Sequence, residues 1–266
     1  MSNIDIRNDK PLVELLLSAD KSDLDLLIDY ITDNGKGRLS LSSSVKTLLV
    51  SAKELNEIDE DTVCVLIREL QLYGGNSFAN LFRRNGVDYA EIVDDVSARL
   101  KIPVKKSTSL AGKEVSIIMK VFEDAWEKMS VAERKAILDS LGMKSPGSLE
   151  ALLPRIGISG IAAYQITALV ASSVASMAAG RVIPMVANFG AGRMLGVLAG
   201  PIGIALTGLY SAYDLASPAF RVTLPCIVQI AWIRMKNSRI LCDNCNHQID
   251  ESIKFCPQCG TPVEER

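Results

Sequence analysis

The chain has 266 residues and one histidine, His247. That scarcity leaves no material for a Ser-His-Asp triad or a histidine-ligated metal centre. No dinucleotide fingerprint, phosphate loop or metalloprotease motif occurs either. Carboxylate and lysine chemistry stay open, but no motif points to them, and a non-enzymatic protein is expected. A signal-peptide pattern is missing from "MSNIDIRNDKPLVELLL", so a cytoplasmic location is expected. Sustained alternation of β-branched residues is missing from the first 150 residues as well, so an all-α bundle is expected there.

Acidic residues are absent from one region in particular. Residues 151–239 hold seven Lys/Arg and a single acid, Asp214, for a net charge of +6. Residues 1–150 carry −5 and residues 240–266 carry −3. The basic region is also the apolar one. That pairing suits contact with an anionic membrane surface, and equally a core segment flanked by solvated arginines.

The first 150 residues read as punctuated helices. In "SDLDLLIDYITDNG", Ser22 is placed as N-cap with Asp25 at the third helical position. Leu24, Leu27, Ile28 and Ile31 form its apolar face, and Asn34-Gly35 stops it. In "DEDTVCVLIRELQLYGG", Val63, Leu66, Ile67, Leu70 and Tyr73 share a face and Gly74-Gly75 ends the run. "NSFANLFRRNG", "VDYAEIVDDVSARLKI" and "KEVSIIMKVFEDAWEKM" follow as helices. "SVAERKAILDSLG" carries a capping box, Ser130 with Glu133. "YGGNSFANLFRR" offers two readings: an anion site built on Gly74-Gly75 with Arg83 and Arg84, or a tight inter-helix turn.

Pro146-Gly147 marks a boundary. Beyond it, Arg155 to Arg181 encloses 25 uncharged residues, and Met194 to Tyr213 adds 20 more. Both are long enough to span a bilayer. The first holds only seven large aliphatics, worth roughly −2 to −4 kcal/mol of insertion, which Gln165, Thr167 and four serines oppose. Three readings follow: a helix packed inside a soluble core, a hairpin that enters lipid only when uncovered, or a permanent two-span protein. Gly192, Gly196 and Gly200 form either a small-residue stripe for close helix packing or a glycine-rich loop. "AFRVTLPCIVQIAWIRMK" is a third, shorter apolar helix.

"CDNCNHQIDESIKFCPQCG" holds two C-x-x-C knuckles, Cys242/Cys245 and Cys256/Cys259, ten residues apart. Two knuckles joined by a short hairpin aim four thiolates at one tetrahedral ion, a pattern similar to the zinc-ribbon family. The expected cofactor is a structural Zn2+, with Cys242, Cys245, Cys256 and Cys259 as ligands and no position open for catalysis. A redox dithiol or an iron–sulfur cluster are the alternatives. The ribbon's net charge of −3 argues against nucleic acid and favours a contact with a protein client or a simple cap on the bundle.

The expected fold is all-α. Residues 1–150 form an acidic helical bundle, 151–237 an apolar Gly/Ala-rich hairpin with a closing helix, and 238–266 the zinc ribbon.

"RELQLYGGNSFANLFRRNGVDYAEIVDDVSARLKI", "AWEKMSVAERKAIL" and "SPAFRVTLPCIVQIAWIRMK" resemble the YaaW family of uncharacterised bacterial proteins over roughly residues 20–236. That resemblance implies an all-α fold and establishes no catalytic residues. It also implies a loose link with the ubiquinol–cytochrome c chaperone family, which helps assemble a respiratory membrane complex. Arg221, Thr223, Pro225, Gln229 and Arg234 match the family's closing motif without an assigned role. The C-terminal ribbon is an addition to the family pattern. The expected function is conditional association with the inner membrane through the apolar hairpin, with assembly chaperone or adaptor work through the ribbon as the alternative.

Overall fold

A computed structural model describes residues 4, 6–38, 40–75, 86–103, 105, 107–140, 161–179, 202–204, 208, 219–241, 244, 248–250, 254–256 and 258–262. Its helices are α1 (Lys10–Leu17), α2 (Lys21–Thr32), α3 (Ser43–Leu55), α4 (Glu60–Gly75), α5 (Tyr89–Arg99), α6 (Leu110–Lys128), α7 (Val131–Ser140), α8 (Ile161–Ala179) and α9 (Phe220–Asn237). Two short strands, β1 (Arg239–Leu241) and β2 (Gln248–Asp250), pair antiparallel with Arg239 opposite Asp250. The all-α expectation holds.

Local chemistry sets most helix ends. Ser42, Asp88 and Ser109 cap α3, α5 and α6, each side chain accepting a hydrogen bond from the amide three residues on. The capping box at α7 is reciprocal. Glu133 Oε2 accepts from Ser130 N at 2.8 Å, and Ser130 Oγ accepts from Glu133 N at 3.3 Å.

Helix α2 corrects the sequence reading. It begins at Lys21, with Asp20 rather than Ser22 at the N-cap. Asp25 ion-pairs with Lys21 at 2.7 Å. The helix ends in a turn of left-handed residues, Asp33, Asn34 and Gly35. Helices α1 and α3 have no counterpart in the sequence reading.

The predicted apolar face of α4 is buried in full: Val63, Leu66, Ile67, Leu70 and Tyr73. Gly74 closes that helix against α5. A Cβ there would lie 2.5 Å from Ile92 Cγ1, so close helix packing explains this glycine. Residues 76–85, with Arg83 and Arg84, lie outside the described residues.

One cluster of buried side chains runs from Leu12 to Ile233 and draws on helices from both ends of the chain. Helix α9 is its axis. It packs on α8, α2, α6, α4, α5 and α1, and α8 packs on α9, α6 and α2. Thirteen α9 residues, Phe220 and Val222 to Ile233, are buried. Along α8, every residue from Ile166 to Ala175 is buried. The first apolar stretch thus forms a helix over 161–179 whose segment from Ile166 to Ala175 lies in the core. Among the described residues no helix is long and apolar enough to cross a membrane. Of the second apolar block, 202–204 and 208 are described, and Ile202 is fully buried. Gly192, Gly196 and Gly200 lie outside the described residues.

Candidate metal centre

The ribbon leaves α9 almost without a linker. The helix ends at Asn237, Ser238 caps it, and β1 begins at Arg239. Cys256 and Cys259 lie in the described part of the ribbon; Cys242 and Cys245 lie outside the described residues. The Cys256 segment has the form of a ligand knuckle. Gly260 N donates to Cys256 O at 2.8 Å, and Cys256 N donates to Thr261 O at 2.8 Å. Gly260 takes φ +72°, the left-handed conformation the turn needs. A turn of this kind is the backbone that a C-x-x-C ligand pair uses in a tetrahedral thiolate site. Cys256 is buried and Cys259 exposed. The knuckle therefore fits half of a four-thiolate set.

The root of the ribbon is held by polar contacts of α9 with three other helices. Arg234 straddles the Glu114 carboxylate: Nε donates to Oε2 at 2.9 Å and Nη2 to Oε1 at 3.1 Å. Glu114 is 1% exposed and Arg234 31%. Tyr89 Oη also donates to Glu114 Oε1, at 2.9 Å. Burial, together with the Glu114 charge, holds the Tyr89 phenol well above its ordinary range. For Arg234 burial is the largest influence and works against the charge, but the hydrogen bond to Glu114, the Glu114 charge and Tyr89 together outweigh it and the pKa rises. One turn earlier, Gln229 Nε2 donates to Asp23 Oδ1 at 3.0 Å. Lys236 Nζ donates to Asp23 Oδ2 at 2.7 Å and also to Asp20 Oδ2. Burial lowers the Lys236 pKa, the two carboxylates raise it, and the net shift is upward. Asn237 Nδ2 donates to Ser18 Oγ at 2.9 Å.

The closing motif thereby divides into roles. Gln229 and Arg234 are anchors, Thr223 and Pro225 are buried in the helix, and Arg221 is exposed. Glu114, Asp20, Asp23, Lys236 and Tyr89 escaped the sequence reading. One signal was available: Glu114 begins the apolar stripe continued by Ile118, Val121 and Ala125, and an acid at a core position demands a partner. The Cys226 thiol is no nucleophile, since burial pushes its pKa up to about 12.

Fold and site together define an all-α bundle with a zinc ribbon fused to its last helix. A zinc-ribbon domain model matches residues 241–263. The chain belongs to the UPF0174 family. It is 30% identical to UPF0174 protein YaaW of Escherichia coli K12 over 234 residues, 87% of this chain and 96% of the relative. It is 35% identical to a UPF0174 protein of Helicobacter pylori J99 over 191 residues, 70% of this chain and 76% of the relative. These relatives carry no enzymatic name. No solved structure matches.

Proposed function

We propose that the chain is a non-enzymatic helical adaptor. Its ribbon, residues 238–266, folds around one structural Zn2+ held by Cys242, Cys245, Cys256 and Cys259 and docks a protein client. The supporting observation is the ribbon's placement. Its root is fixed through Lys236 and Asn237, while its buried residues Ile249 and Cys256 stand apart from the main core. Phe255 on the ribbon is 62% exposed, and an exposed aromatic on a rigid metal-stapled turn is a natural docking anchor. Four protein ligands leave the metal no open position, so the ion supplies folding energy rather than catalysis.

A second reading, conditional association with the inner membrane, draws support from α8. Thr167, Ser173 and Ser176 donate their hydroxyl protons to the carbonyls of Ala163, Leu169 and Ser172. These groups would stay satisfied if the helix left the core for lipid. The +6 charge of residues 151–239 would assist at an anionic surface.

Zinc assay and flotation with anionic vesicles separate the two. One zinc per chain, lost in Cys256→Ser, with no recovery in the lipid fraction at any pH, is the expected outcome. Recovery with vesicles transfers the assignment to the membrane reading. A chain that binds no zinc removes the docking module.

A further inference from the structure

Thr261 touches both cysteines of the described knuckle, and with different atoms. Its carbonyl accepts from Cys256 N at 2.8 Å. Its hydroxyl oxygen lies 3.1 Å from Cys259 Sγ. The two thiols differ in their surroundings, since Cys256 is buried and Cys259 exposed. The hydroxyl therefore stands beside the thiol that solvent reaches.

We propose that Thr261 is a positioning residue of the metal centre, whose hydroxyl donates to the Cys259 thiolate and holds that ligand on the ion. This rests on the reading that the ribbon holds a structural zinc. Between a thiol and a hydroxyl either atom can donate. Metal binding removes the choice. A cysteine that ligates zinc has lost its proton, so its sulfur accepts and the hydroxyl donates. The bond is then charge-assisted and stronger than its neutral counterpart. It does for a ligating thiolate what an outer carboxylate does for a ligating histidine, fixing its orientation and tuning its electron density.

The contrast between the two cysteines says why the donor sits where it does. Burial shields Cys256 from solutes. Cys259 lacks that shield, and an exposed thiolate is the ligand that acids, oxidants and alkylating agents reach first. A donor on its sulfur draws down its nucleophilicity. The turn itself is built from main-chain groups: the Cys256 N to Thr261 O bond, the Gly260 N to Cys256 O bond and the left-handed Gly260. The Thr261 hydroxyl can thus be removed with those groups intact. Serine at the position keeps the donor, and valine keeps the shape without it.

Competition for zinc between the full chain and the chelator 4-(2-pyridylazo)resorcinol tests this in the parent, Thr261→Val and Thr261→Ser. Thr261→Val should hold zinc about tenfold more weakly, the lower end of the range for outer partners of a metal ligand. Thr261→Ser should match the parent. Iodoacetamide, from which the attacking thiolate displaces iodide, should label the zinc-loaded chain at Cys259 before Cys256 in peptide mass spectrometry. Thr261→Val should speed labelling at Cys259 and leave Cys256 unchanged. With Co2+ in place of zinc, Thr261→Val should keep the visible bands of a tetrahedral site and move the thiolate-to-metal charge-transfer band to longer wavelength, because the sulfur lone pairs lose the donor that stabilised them. Unchanged zinc affinity in Thr261→Val, equal losses in the valine and serine variants, or earlier labelling at Cys256 overturns the role of the hydroxyl and leaves the zinc reading standing. Absence of zinc from the parent chain overturns both.

Discussion

Helices α8 and α9 are both buried in the middle of the bundle, and they are held there in different ways. The hydroxyls of Thr167, Ser173 and Ser176 turn back onto carbonyls of α8 itself. The polar side chains of α9 reach outward. Gln229, Arg234, Lys236 and Asn237 bond to Asp23, Glu114, Asp20 and Ser18 on α2, α6 and the ends of α1 and α2. Where the helices meet, the rings of Tyr164 and Trp232 pack at a 41° tilt with centroids 5.1 Å apart. Burial alone therefore does not say whether a helix is locked. Apolar contact is non-directional, whereas a bidentate ion pair fixes rotation and rise. In this bundle the side chains of α9 key it to its neighbours, whereas α8 fills the space beside it mainly by shape, with a tie near its end where Asn34 Nδ2 donates to Ala178 O at 2.9 Å.

The largest effect should come from breaking the key. Arg234→Met removes a guanidinium from a carboxylate that is 1% exposed. Loss of one partner of a buried pair costs about 3–5 kcal/mol, and the partial exposure of Arg234 favours the lower end. Urea denaturation should show it as a fall in midpoint at unchanged slope. The double variant with Glu114→Leu should recover much of the loss, since no stranded charge remains. A single-variant cost below about 1 kcal/mol would place the pair among surface ion pairs and erase the contrast with α8.

Helix α8 should respond to volume instead. Ala171 is fully buried, and Ala171→Leu forces three extra carbons into a packed site, at about 1–3 kcal/mol. Thermal unfolding measures it. A neutral result would mean that α8 sits in a loose slot, which would favour the reading in which it leaves the core for lipid.

The contrast also marks what was legible in the sequence. Face periodicity identified the buried side of α4, and cysteine spacing identified the ribbon, because both signals are local. The N-cap of α2 was misplaced at Ser22 because the residue that holds the position, Asp20, spends its side chain on Lys236, 216 positions away. The Glu114–Arg234 pair spans 120 positions, and no local pattern announces such a partner. Helix α8 was ambiguous for another reason. It is apolar all round, so its sequence carries no face, and burial in a core and contact with lipid call for the same composition. Helices α1 and α3 were missed. Helix α1 is short and caps without a side-chain bond, although Pro11 sits in its first turn; α3 buries only Leu49 and Ala52, so no wide apolar face announces it.

The smallest effect sharpens the comparison most. Thr167 is buried, and its hydroxyl donates to Ala163 O at 2.8 Å. That carbonyl already serves the helix as an acceptor, so losing the hydroxyl strands no partner. Thr167→Val keeps the shape, removes one polar group from the interior and has nearly the same helix propensity. The hydroxyl bond and its desolvation then cancel, and stability should move by no more than about 0.5 kcal/mol in chemical denaturation. A loss above about 1.5 kcal/mol would mean that a group outside α8 grips the hydroxyl. In that case α8 would be keyed as α9 is, and it could not leave the core with its hydrogen bonds intact.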